Sequence, residues 1–225
     1  MKFIILHGDY FIKSYERLEK FVSTAKSRDW EIIKWSFDEG GPLTEQLSQP
    51  SIFSKERLFV INEVEKIKKK EFEWIRKNIV KLPGTLVILN DGYIPAHILR
   101  ELPKADKTEE FKLPKIIFTM LDSMYPGNVK MVLTLLHQTI ENNPPEFVFA
   151  LIARLFRDLY WVKTDPNSIP YPSWRVGKLK SQSLKFKEET IKEIINRLAK
   201  LDIEVKTSKA NLISSLDLLI IKHLE

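Results

Sequence analysis

Apolar and polar positions along this chain follow two different patterns, one in each half. In the first half, short apolar runs alternate with segments of helical period. Phe3-Ile4-Ile5-Leu6 reads as a strand, one placed by the run Met1 to Gly8 at the edge of a domain. Gly8-Asp9 reads as a turn. Tyr10 to Ala25 predicts an amphipathic helix with Phe11, Ile12, Tyr15, Leu18 and Val22 on its apolar face. Glu31 to Phe37 reads as a second strand, Pro42 to Leu47 as a short helix and Leu58 to Ile61 as a third strand. Lys70 to Val80 predicts a second amphipathic helix, bearing Phe72, Trp74, Ile75 and Ile79. Thr85 to Leu89 reads as a fourth strand and Thr108 to Lys112 as a short fifth. Strands separated by helices imply a parallel sheet with helices on its faces.

After Lys112 the strand pattern stops. Leu113–Met124, Val129–Glu141, Pro145–Lys163, Pro172–Leu179, Lys187–Ile203 and Asn211–Leu224 all read as helices. Pro145 and Pro172 suit first-turn positions. The spacing of Ile191, Ile194, Ile195, Leu198 and Leu201, then of Leu212, Ile213, Leu216, Leu219 and Ile220, is that of a helical bundle. The expected organisation is an α/β domain over residues 1–112 and an all-α domain over 113–225.

Composition narrows the chemistry. Apolar residues make up 44% of the chain, enough for a real core, and the seven glycines are too few for an all-β fold or Gly-rich cofactor loops. There is no cysteine, which removes thiolate nucleophiles, disulfides and cysteine-held metals. No apolar run approaches membrane-spanning length, and a cytoplasmic protein is expected. The net charge is +6, of which +4 falls in residues 113–225. That bias leans towards an acidic partner such as nucleic acid, with a solvated basic surface the equal alternative.

The phosphate-binding signatures G-x-x-x-x-G-K-[ST] and G-x-G-x-x-G are both missing. The strand Phe59-Val60-Ile61 ends in Asn62-Glu63, similar to the acidic pair that holds magnesium in P-loop ATPases, but Asn62 stands where the metal-holding aspartate would be. An ATPase-like fold without ATPase chemistry follows, with no cofactor and no metal. His7, His97, His137 and His223 are dispersed and read as structural or surface residues. There is no nucleophile elbow. Glu63 with Glu65, and Asp158 with Asp165, are read as solvated charge.

Two segments carry candidate binding chemistry. In Gln49-Pro50-Ser51-Ile52-Phe53-Ser54-Lys55-Glu56-Arg57, Pro50 blocks helix continuation. Ile52 and Phe53 are adjacent large apolar residues among polar neighbours, and adjacent residues of a strand point to opposite faces. Either a loop tucks both inward or one of them is an exposed anchor for a partner protein. Residues 171–187 hold five basic residues and no acidic one. There Arg175, Lys178, Lys180 and Lys185 are candidate phosphate contacts, against the alternative of a solvated face beside a core-packed Trp174. The run Lys66 to Lys70 precedes Glu71 and Glu73 and reads as a solvated helix start.

These residues resemble the delta subunit of the bacterial DNA polymerase III clamp loader. Leu6-His7-Gly8-Asp9-Tyr10-Phe11-Ile12 is similar to that family's strand and Gly-Glu/Asp-x-Phe-Leu/Ile turn. Ser51-Ile52-Phe53-Ser54-Lys55-Glu56-Arg57-Leu58 resembles its Ser-Leu-Phe-x-x-x-Arg-Leu. Phe147 to Leu159 resembles its helix ending in Arg-x-x-Arg-x-Leu, and Tyr171-Pro172 stands in the place of its common His-Pro. The resemblance implies a P-loop-ATPase-like (AAA+-type) domain without a phosphate loop, followed by a helical collar. It implies a subunit that is not itself catalytic, although it works as part of the DNA polymerase III holoenzyme. Such a subunit binds and helps open the sliding clamp, the DNA polymerase III beta subunit, during DNA replication. On this likeness Pro50, Ser51, Ile52 and Phe53 are the clamp-binding residues, and the collar packs against other loader subunits. The alternative role is a DNA-binding or assembly scaffold that has lost clamp opening. The chain departs from the family at Glu109 to Pro114, which leads almost directly into collar-type helices with no lid domain between.

Overall fold

The computed structural model describes residues 1–36, 41–49, 56–62 and 64–225. The chain forms two compact units, Met1–Leu113 and Pro114–Glu225.

In the first unit β1 (Lys2–His7), α1 (Phe11–Ser27), β2 (Glu31–Trp35), α2 (Leu43–Ser48), β3 (Arg57–Asn62), α3 (Lys69–Asn78), β4 (Thr85–Leu89), α4 (Ala96–Glu101) and β5 (Lys107–Glu110) follow in order. The five strands pair only in parallel, in the order β2-β3-β4-β1-β5. The first strand is therefore interior, not at an edge. It lies between β4 and β5, and every residue from Phe3 to His7 is buried. Burial on both faces also explains the unbroken apolar run of β4.

Alternation along the strands sorts side chains into two cores. Phe3, Ile5, Phe59, Ile61, Leu86 and Ile88 pack with residues of α2, α3 and α4. Ile4, Leu6, Leu58, Val60, Val87 and Leu89 pack under α1. The buried stripe of α1 is Ser14, Leu18, Val22 and Ala25, while Phe11 and Tyr15, expected in the core, are 38% and 43% exposed. Small Ser14 and Ala25 let the helix lie close to the sheet, and the Ser14 hydroxyl is satisfied by the Phe11 carbonyl at 2.8 Å. The short helix α4 escapes sequence periodicity because its six residues give less than two turns of signal.

The second unit holds α5 (Lys115–Ser123), α6 (Val129–Ile140), α7 (Pro145–Thr164), α8 (Ser173–Ser183), α9 (Glu188–Lys206) and α10 (Leu212–Leu224). They share one core, with Val132, Leu136, Val148, Ile152, Phe156, Ile191, Ile194, Leu201 and Leu216 at its centre. Pro42, Pro95, Pro114, Pro144 and Pro172 occupy the N-cap positions of α2, α4, α5, α7 and α8 in extended conformation. Proline brings no N–H to be orphaned there, and its fixed φ suits the entry. Pro172 is thus one residue ahead of the first turn, unlike Pro145. At the other end of α5, the Gln182 amide donates to the carbonyls of Leu121 and Met124 at 2.8 and 2.9 Å, pairing groups the helix end leaves open. Among the described residues no helix is long and apolar enough to cross a membrane.

Candidate partner-binding surfaces

At the carboxyl ends of the strands, where parallel α/β folds place their ligands, the connection from β1 to α1 is Gly8-Asp9-Tyr10 alone. Its polar groups are already paired. The Gly8 N–H donates to the Gly92 carbonyl (2.9 Å) and the Gly92 N–H returns the bond (3.0 Å). The Tyr10 N–H donates to the Phe111 carbonyl (3.0 Å), and Asp9 Oδ1 accepts the Leu113 N–H (2.8 Å). Gly8 has φ +128°, and an added Cβ would fall 2.2 Å from the Phe111 carbonyl oxygen. A phosphate loop needs free backbone N–H groups converging on an anion. Here the chain's own carbonyls occupy those of Gly8 and Tyr10. Asn62 ends β3 on the exposed rim; Glu63 lies outside the described residues.

His7, the last residue of β1, is buried, and its Nδ1 accepts the Ile94 N–H at 3.4 Å. That bond requires an unprotonated Nδ1. Burial lowers the imidazole pKa below its usual 6.5, with Glu110 opposing. The unfolded chain takes up this proton near pH 6.5 and the folded one only at lower pH. Its contribution to stability is therefore present above 6.5 and lost as pH falls towards the lowered value. The stability gap between wild type and His7→Gln in urea unfolding is expected to narrow or reverse on acidification below that point. A gap independent of pH would rule the linkage out.

The expected clamp-binding residues Pro50, Ser51, Ile52 and Phe53 lie outside the described residues. The flanks are well anchored. On the near side Leu43 and Leu47 of α2 are fully buried. The Glu71 carboxylate accepts the Leu43 N–H (3.3 Å) and the Lys68 N–H (3.0 Å), tying the starts of α2 and α3 together. On the far side Arg57 opens β3 buried, its guanidinium 4.9 Å from the Phe59 ring centroid. Its Nε has no hydrogen-bond partner among the described residues.

The basic segment on α8 is less free than its sequence suggests. Arg175 packs 3.9 Å from the Tyr171 ring centroid and reaches Asp158 Oδ2 at 3.4 Å. Lys178 pairs with Asp122 at 2.6 Å, and Lys185 lies 3.5 Å from the Tyr125 ring centroid. Lys180 is exposed. Trp174, expected against the core, is 71% exposed because the buried side of α8 is taken by Leu179, Gln182 and Ser183.

Asp158, read as solvated charge, is instead 1% exposed. It accepts from Arg157 Nη2 (2.7 Å) and Nε (3.1 Å), from the Tyr171 hydroxyl (3.0 Å) and from Arg175. The hydrogen bond to Asp158 raises the Arg157 pKa above its ordinary value. The signal in the sequence was an acid flanked by arginine inside an apolar helix. This cluster gives a physical reason for the Arg-x-x-Arg-x-Leu pattern and for a donor ahead of Pro172. Asp158→Ala is expected to destabilise the helical unit by about 2–3 kcal/mol, read as a lowered urea midpoint, since charge-assisted bonds to a buried carboxylate are lost. An unchanged midpoint would mean that the cluster is only a surface ion pair.

Comparison with known proteins places this geometry. Residues 115–223 match the family model described as DNA polymerase III delta subunit, C-terminal domain. The solved structure of the Bacillus subtilis DNA clamp loader delta protein is similar at 16% identity and a TM-score of 0.51, covering 100% of this chain and 95% of that one. A DNA polymerase III gamma subunit-related protein from Thermotoga maritima matches at 13% identity over 99% of this chain and 93% of that one. Its TM-score of 0.33 is too low to carry an argument. No curated protein matches. The expected fold, a parallel α/β sheet followed by a helical bundle, is borne out and resembles that of the clamp loader delta protein.

Proposed function

We propose, from a chain that belongs through its C-terminal domain to the DNA polymerase III delta subunit family, that this protein is a non-catalytic clamp-loader subunit. It binds the sliding clamp, the DNA polymerase III beta subunit, through Pro50, Ser51, Ile52 and Phe53. The helical unit packs as a collar against other loader subunits, and the work is done in the cytoplasm on replicating DNA. The family match over residues 115–223 carries the reading. The connection from β1 to α1 supports the non-catalytic part, because the Gly8 and Tyr10 N–H groups are spent on the chain's own carbonyls. Only Phe111 to Pro114 separates β5 from α5, so a lid domain has no place between them and a reduced loader is the form this subunit suits.

The test is binding of the purified chain to the beta clamp of its own organism without nucleotide. Association at micromolar concentration or tighter is expected, as burial of two large apolar side chains provides. No association well above that concentration would overturn the reading. A second reading, DNA contact along α8, is favoured by exposed Trp174 near the exposed Lys180. It predicts DNA affinity that falls steeply with salt and shows little sequence preference.

A further inference from the structure

We propose that a cavity at the carboxyl ends of β3 and β4 receives an arginine side chain from a partner protein. The cavity measures about 420 Å³ and is lined by Phe11, Tyr15, Asn62, Glu65, Asn90 and Asp91. It lies at the position where related sheets hold a nucleotide, yet its chemistry is opposite to what a phosphate needs. Glu65 and Asp91 make the rim acidic, and neither forms an ion pair with another described residue. Lys66, the basic residue beside them, has an interaction of its own.

Two further observations point to a planar cation. Phe11 and Tyr15 sit at the start of α1 with ring centroids 5.7 Å apart and planes inclined by 39°. Both are turned out of the core although each is apolar enough to fill it. They offer aromatic faces on which a cation can lie. Asn90 is 5% exposed. Its Nδ2 donates to the carbonyls of Asp91 (3.4 Å) and Gly92 (3.3 Å), while its Oδ1 accepts no hydrogen bond from any described residue. The wall therefore offers two carboxylates and an unused amide oxygen beside two ring faces.

A guanidinium satisfies all of these groups at once. It is flat enough to stack, it carries five N–H donors in its plane, and it pairs with carboxylates edge-on. An ammonium group is a compact point charge and covers less of the aromatic surface. A nucleobase would stack but leave both carboxylates uncompensated, and a phosphate would be repelled. The proposal does not depend on clamp binding through residues 50–53, because none of those residues lines this cavity.

The probe is N-acetyl-arginine amide, titrated into the isotope-labelled full chain and followed by amide NMR at fixed ionic strength. Saturable shifts confined to Phe11, Tyr15, Asn90 and their neighbours are expected, with a Kd of about 1–10 mM for one stacked ion pair. N-acetyl-lysine amide should bind roughly threefold more weakly. The exposed pair Glu65→Gln, Asp91→Asn should weaken arginine binding about tenfold without changing clamp binding. Three results would each overturn the proposal: no saturable shift up to about 50 mM, equal response in the double variant, or tighter binding of adenosine than of the arginine probe.

Discussion

An Ile52→Ala, Phe53→Ala variant is expected to bind the sliding clamp about 10²–10⁴-fold more weakly than the wild type, with its unfolding midpoint unchanged. Burying two such side chains in a partner supplies roughly 3–6 kcal/mol, and each 1.4 kcal/mol is about a factor of ten in affinity. The two residues are neighbours, so a regular strand cannot aim both at one core. The flanks have their own anchors: Leu43 and Leu47 on one side, Arg57 and Leu58 on the other, are all buried. Truncating the pair should therefore leave the sheet standing. Surface-immobilised clamp gives the affinity and urea unfolding gives the stability. If stability fell while affinity held, the pair would be core residues and the clamp site would lie elsewhere.

Gly8→Ala is expected to destabilise the α/β unit by about 3 kcal/mol or more, combining backbone strain of roughly 1–3 kcal/mol with overpacking of similar size. The new methyl would meet the carbonyl oxygen, carbon and nitrogen of Phe111 at 2.2, 2.8 and 2.8 Å. These are backbone atoms and cannot swing aside. Withdrawal of Phe111 would break its hydrogen bonds with Tyr10 and His7. Gly92→Ala is the control, since φ there is also positive but nothing lies within 4 Å of the new atom. It should cost only the conformational strain, about 1 kcal/mol. Equal effects from the two changes would show that contact with Phe111 does not matter.

The sheet was legible because its central strands are buried on both faces, and such burial writes uninterrupted apolar runs like Leu86 to Leu89. The helices of the second unit were legible because each has one wet side, which imposes a period. What the pattern misjudged were cases where size or pairing outweighed hydrophobicity. Ser14 and Ala25 displaced Phe11 and Tyr15 from the face of α1 that meets the sheet, since close approach needed small side chains. Asp158 was buried because two arginines and a tyrosine reach it, and the position of Tyr171 cannot be inferred from spacing alone. Arg175 was thereby removed from the free basic surface. The edge placement of the first strand failed for a different reason: strand order is a long-range property that local sequence does not encode. The adjacent Ile52 and Phe53 stood out because they break every local rule, which is where a binding function is expected to show.

The interior position of β1 sets an order of events during synthesis. β2 and β3 can pair as soon as residue 62 has left the ribosome, and β4 can then join β3. The first strand made must wait. Phe3 finds its neighbour Leu86 only after most of the unit has emerged, and Ile4 finds Lys107 later still. Until then the nascent chain carries an apolar strand with no place to dock, beside an open β4 edge. Contacts of such long sequence separation are slow to form. Emerging chains of this protein should therefore lean on holding chaperones up to about residue 110, and then close in one late step as β1 slides between β4 and β5.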